Sequence, residues 1–72
     1  MIIQVIENGV VVNVVEVDDD GVLASDGSKV TGGPHGDYPA PTGCTLMKVD
    51  GATFGWTVSG STPVPPAEPT QN

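Results

Sequence analysis

The sequence predicts an all-β protein: a small domain of two to three β-hairpins with an extended proline-rich C-terminal arm. Three observations lead there. β-Branched residues crowd the first seventeen positions around an Asn-Gly pair, Asp-Gly pairs recur at 26–27 and 50–51 between short apolar runs, and four of the seven prolines fall after residue 60. Asn-Gly and Asp-Gly flanked by apolar residues are the strongest short-range hairpin signals, because a two-residue type I′ turn needs positive φ at both central positions. The domain is expected over 1–60 and the arm over 61–72.

The first hairpin spans about 2–17. A two-residue turn at Asn8-Gly9 sets Glu7 opposite Val10, Val5 opposite Val12 and Ile3 opposite Val14, with Gln4 facing Asn13. On that register Ile3, Val5, Val10, Val12 and Val14 share one side, and Ile2, Ile6, Val11, Val15 and Val17 share the other. A hairpin wet on one side alternates apolar and polar residues; this one is apolar on both, so both faces need cover. With 72 residues and three aromatic side chains, a single core is marginal. Fixing the backbone alone costs about 1–2 kcal/mol per residue. A partner is therefore expected to cover what the chain leaves open.

A shorter hairpin is expected about Asp26-Gly27, over 22–31, followed by a Gly- and Pro-rich loop over 31–43. A third hairpin is expected over 44–58 about Asp50-Gly51. It pairs Val49 with Ala52, Met47 with Phe54 and Thr45 with Trp56, placing Phe54 and Trp56 on one face as the bulk of a small core. The expected intramolecular core is thus Ile3, Val5, Val12 and Val14 against Phe54 and Trp56, and Val12→Asp is expected to abolish folding. From Ser61 onward the chain reads as polyproline II, which docks in a groove rather than joining a sheet interior.

Charge limits what the chain can bind. Nine acids against two lysines and no arginine give a net charge of −7, which opposes contact with a nucleic-acid backbone or an anionic membrane. No window approaches the length of an apolar span, and the N-terminus lacks the basic region and cleavage site of a signal peptide. The single Cys44 excludes an internal disulfide; it reads either as a small buried apolar residue or as an intermolecular thiol. Asp18-Asp19-Asp20-Gly21 invites a calcium reading, but the twelfth position of such a loop is Lys29 where a bidentate Glu belongs. A solvated acidic turn or a weak cation site shared between chains remains. His35 is the lone histidine and has no second histidine for a metal pair. No catalytic, cofactor or metal residues are expected, and no enzyme activity.

The order of parts "VIENGVVVNVVEVDDD", "YPAPTGCTLMKV" and "GWTVSGSTPVPP" resembles a family of small virion-associated proteins of tailed bacteriophages, including tail and tail-fibre-associated segments. Val5-Ile6-Glu7-Asn8-Gly9-Val10-Val11 carries its first part, Pro41-Thr42-Gly43-Cys44-Thr45-Leu46 its second, and Gly55-Trp56-Thr57 with Pro63, Pro65 and Pro66 its last. Residues 18–36 lie outside the resemblance. Val58-Ser59-Gly60 and Thr62 depart from the aromatic residues the family tends to carry there. The resemblance implies a structural component of a tailed-phage virion, a small subunit attached to larger tail (fibre or baseplate) proteins. A capsid decoration or cement protein and a non-virion fibre-assembly chaperone are the alternatives. It also implies a virion location after synthesis in the host cytoplasm, with virion structural proteins as partners and self-association left open. The residues expected to make those contacts are Ile2, Ile6, Val11, Pro63, Val64, Pro65, Pro66 and Pro69.

Overall fold

Asn8 is the one residue besides glycine with positive φ (52°) among those described, and Gly9 beside it sits at 79°. That is the backbone of a type I′ turn, and it closes the hairpin on which the fold is built. The computed structural model describes residues 1–34 and 36–66; Pro69 and His35 therefore lie outside the described residues, as does the end of the predicted arm. Strand β1 (Ile2–Glu7) pairs antiparallel with β2 (Val10–Glu16). Then come β3 (Val22–Leu23), β4 (Lys29–Gly33), β5 (Gly36–Pro39), β6 (Thr45–Met47), β7 (Thr57–Ser59) and β8 (Thr62–Val64). They form a five-stranded sheet in the order β6-β1-β2-β7-β8 and a three-stranded sheet in the order β3-β4-β5, both antiparallel. The all-β expectation is met: among the described residues there is no helix.

The β1–β2 register departs from expectation part of the way along. Glu7 opposes Val10 and Ile6 opposes Val11 as a two-residue turn dictates, but Val5 then opposes Asn13, Gln4 opposes Val14 and Ile3 opposes Val15. Val12 is the extra residue of a β-bulge, and every pair beyond it moves by one. The expected pairing of Gln4 with Asn13 is thus replaced. Asn13 turns outward and accepts from the amide of Val14 at 2.9 Å, whereas Gln4 is buried. Val12, expected in the core, is 43% exposed.

Two further expectations are corrected. Within the expected loop over 31–43, residues 31–33 and 36–39 are strand: β4 and β5 pair, with Val30 opposite Tyr38 and Lys29 opposite Pro39. The expected hairpin over 44–58 is split, β6 pairing with β1 and β7 with β2, on opposite sides of the central hairpin. The cause lies in the turns. Asp26 and Asp50 do not adopt positive φ, so neither Asp-Gly pair forms a type I′ connection. Instead Ala52 N–H bonds to Val49 O and Trp56 N–H to Thr53 O, with Gly51 (φ 88°) and Gly55 (φ 85°) third in each turn, the position where a type II turn needs glycine. Two successive turns carry the chain across one sheet face and set it beside β2.

The start of the expected arm is sheet. Thr62–Val64 is a strand, joined to β7 through Gly60-Ser61, with Val58 opposite Pro63. Gly60 has positive φ (65°), the Gly-first pattern of a type II′ hairpin.

Each face of the five-stranded sheet carries its own core. On one, Ile3, Val5 and Leu46 pack with Val30 of the second sheet, and Val15, Val17, Leu23 and Tyr38 lie around them. On the other, Ile6 and Val11 pack with Val49 and Ala52 from the turn region, flanked by Val14, Met47, Trp56 and Val58. The hairpin apolar on both sides is thus covered on both sides, largely by its own chain. Phe54 takes no part; it stands 61% exposed at a turn position, while Trp56 is half-buried against the second core.

Candidate functional site

Antiparallel Cα partners share a sheet face, so the pairings Glu7–Val10, Val10–Thr57 and Thr57–Val64 make one row across four strands. It lies on the same face as Ile3 and Val5, at the opposite end. The second sheet covers Ile3 and Val5 but does not reach this row. Val10 is half-buried, Val64 is 42% exposed, and Val12, two residues along β2 from Val10, is 43% exposed at the bulge. The outcome is a mixed row in which Val10 and Val64 alternate with the exposed Glu7 and Thr57.

The sequence-predicted contact residues divide into three groups. Ile6 and Val11 are corrected: both are buried in the second core, and their side chains present no outer surface. Ile2, Val64, Pro65 and Pro66 are exposed and Pro63 is half-buried, but Ile2 stands across from Glu16 at the far end of β1 and does not join the row. Pro69 lies outside the described residues. Val10 and Val12 were not foreseen as surface residues. The bulge that exposes Val12 has no signature in the run of three valines, Val10-Val11-Val12, that precedes Asn13.

A cleft of about 510 Å³ opens between the end of β2 and the second sheet, with Glu16, Asp18, Asp19, Asp37 and Tyr38 on its walls. The Met1 ammonium donates to Val17 O at 2.7 Å and to an Asp19 carboxylate oxygen. That hydrogen bond, and then the charge of the ammonium, hold the Asp19 carboxyl below its ordinary value. Asp18 packs over Gly33, where a Cβ would come within 2.4 Å of its Oδ2. Among the described residues no three His, Cys, Asp or Glu side chains are placed to hold a metal ion. Cys44 is half-buried against the first core as a free thiol.

Comparison with protein-family models, with curated proteins and with solved structures gives no match to this chain.

Proposed function

We propose that this chain is a structural component of a tailed-phage virion, a small subunit that docks on larger tail proteins of the fibre or baseplate. The observation that carries the docking part is the half-covered sheet. Val10, Val12 and Val64 leave apolar area in water beside Glu7, and covering such area contributes about 25 cal/mol per Å². With a net charge of −7, the chain favours a partner whose apolar patch is rimmed by Lys or Arg. The virion part rests on the resemblance of the two ends of the sequence to small phage virion proteins.

The test is quantitative mass spectrometry on purified particles of the virus that encodes the chain. A few to a few tens of copies per particle support the tail; hundreds assign the chain to the capsid shell; absence from particles overturns the reading. A Val12→Asp/Val64→Asp double variant, which changes exposed positions only, is expected to fold and to lose incorporation.

A further inference from the structure

We infer that the two Pro-x-Pro tracts, Pro39-Ala40-Pro41 and Pro63-Val64-Pro65, are stoppers on the sheet edges. They withhold the amide hydrogens that an added strand needs, so that strand addition is closed to this chain and its contacts run through sheet faces. The inference is independent of the virion reading.

The phase of each tract carries it. In β7, the Val58 amide donates to Gly9 O at 2.8 Å, so it faces β2. Alternation along a strand then turns the backbone groups of Thr57 and Ser59 toward β8, where their Cα partners are Val64 and Thr62. Residues 62 and 64 therefore point inward and Pro63 points out, from an edge strand of the sheet. Pro65 repeats that phase one residue beyond the strand. One residue past β5, the Ala40 amide donates to Ser28 O at 2.9 Å, so Ala40 faces the β4 side and the nitrogen of Pro39, the last residue of β5, turns the other way; Pro41 follows beyond the ladder. Both tracts thus spend no ladder hydrogen bond. Shifted by one residue, either would remove a donor that the sheet uses.

The remaining two edges are closed by other means. The outward amide of β6, Leu46 N–H, is taken by Gly27 O at 2.8 Å, and β3 is two residues long. Each of the four edge strands in the two sheets is thereby blunted. A small protein rich in β-branched residues has reason for this, because an open edge beside exposed Val64 is a template for pairing.

The experiment compares the full chain with Pro63→Thr/Pro65→Thr, by sedimentation velocity over a wide concentration range and by amide hydrogen exchange. The variant is expected to approach about a doubling of mass through edge-to-edge pairing about a two-fold axis, with new protection at residues 63 and 65. Pro66→Thr, in the inward phase and past the ladder, is expected to behave as the parent. Pro39→Thr/Pro41→Thr carries the same test on the other sheet, so a folding failure in one variant leaves the second. Parent-like mass at every concentration in a folded variant overturns the inference. Unfolding of both variants also overturns it, since the prolines would then serve the fold itself.

Discussion

The side chain of Gln4 and the backbone of Val49 are locked together: the Val49 amide donates to Gln4 Oε1 at 2.7 Å, while Gln4 Nε2 donates to Ala52 O at 3.0 Å. Gln4 is 2% exposed, so neither backbone group has water as a substitute. One amide side chain thereby satisfies both ends of the Val49–Ala52 turn and seats it on the second core. Gln4→Ala orphans a buried donor and a buried acceptor, each costing about 1–3 kcal/mol, and opens a void. A loss of about 2–5 kcal/mol is expected by urea unfolding, a large share of what a domain this small possesses. Gln4→Glu adds a diagnostic. A protonated Glu can donate to Ala52 O as the amide does, whereas a carboxylate repels it and is poorly solvated, so its folded pKa rises. The stabilising contribution of the protonated form is fully present below the unfolded value of about 4.3 and is lost as pH rises through the folded value. Gln4→Glu should therefore lose stability relative to the parent between acid and neutral pH.

Gly27 joins the two sheets. Its carbonyl accepts from Leu46 N–H, its φ is 73°, and a Cβ there would lie 2.3 Å from Thr45 Cγ2 and 2.7 Å from Leu46 O. Gly51 has φ 88° but open space around it. Gly51→Ala should cost only the left-handed backbone term, about 1–2 kcal/mol. Gly27→Ala adds a clash with backbone and should cost clearly more, with protection of the Leu46 amide lost in hydrogen exchange. Equal losses for the two variants would show that the β6 edge contact contributes little.

How far the sequence disclosed this fold is best seen at Asn8-Gly9, Asp26-Gly27 and Asp50-Gly51. Asn8-Gly9 was legible because Asn tolerates positive φ, and the turn forms as its chemistry requires. Asp26-Gly27 marks the hairpin expected over 22–31, and β3 and β4 do pair there, Leu23 opposite Val30, although the turn is not type I′. Asp50-Gly51 misled: the same dipeptide serves a type II turn when tertiary contacts favour it, and Gln4, 45 residues away from Val49, supplies those contacts. Such a long-range clamp leaves no local trace. Pro39 and Pro63 look like strand breakers in the sequence, since a proline's phase relative to a ladder is knowable only once the ladder exists. The candidate surface was legible in part. Val64 is among the expected contacts, whereas the exposure of Val12 depends on the bulge and that of Val10 on how far the second sheet extends.

Val11 and Val12 are neighbours with opposite fates. Val11 is 1% exposed within the second core, and Val12 is 43% exposed at the bulge. Val11→Asp buries a charge without a partner and is expected to abolish the folded state. Val12→Asp is expected to cost less than about 1 kcal/mol, in the range of surface substitutions. Circular dichroism and thermal unfolding of the two variants check both. A folded Val11→Asp with an unfolded Val12→Asp would reverse the faces and restore the ungapped hairpin register.

Asp26 reports on the second turn through its titration. Hydrogen bonding from Ser28, first through its side chain and then through its backbone amide at 3.0 Å, lowers the Asp26 carboxyl from its ordinary 3.8. A carboxyl depressed in the folded state contributes stability that is present above the unfolded value and is lost as pH falls through the folded one. Because Asp26 is fully solvent-exposed, the effect belongs to the turn and not to global unfolding. NMR titration of the parent should place the Asp26 midpoint below 3.8, and Ser28→Ala should move it back up. The Ser28 amide should become less protected from exchange over the same acid interval. Asp26→Asn keeps an oxygen that can accept from that amide and should abolish the acid dependence while leaving the β3–β4 register intact. An Asp26 midpoint unmoved by Ser28→Ala would mean that the turn holds without the hydroxyl contact.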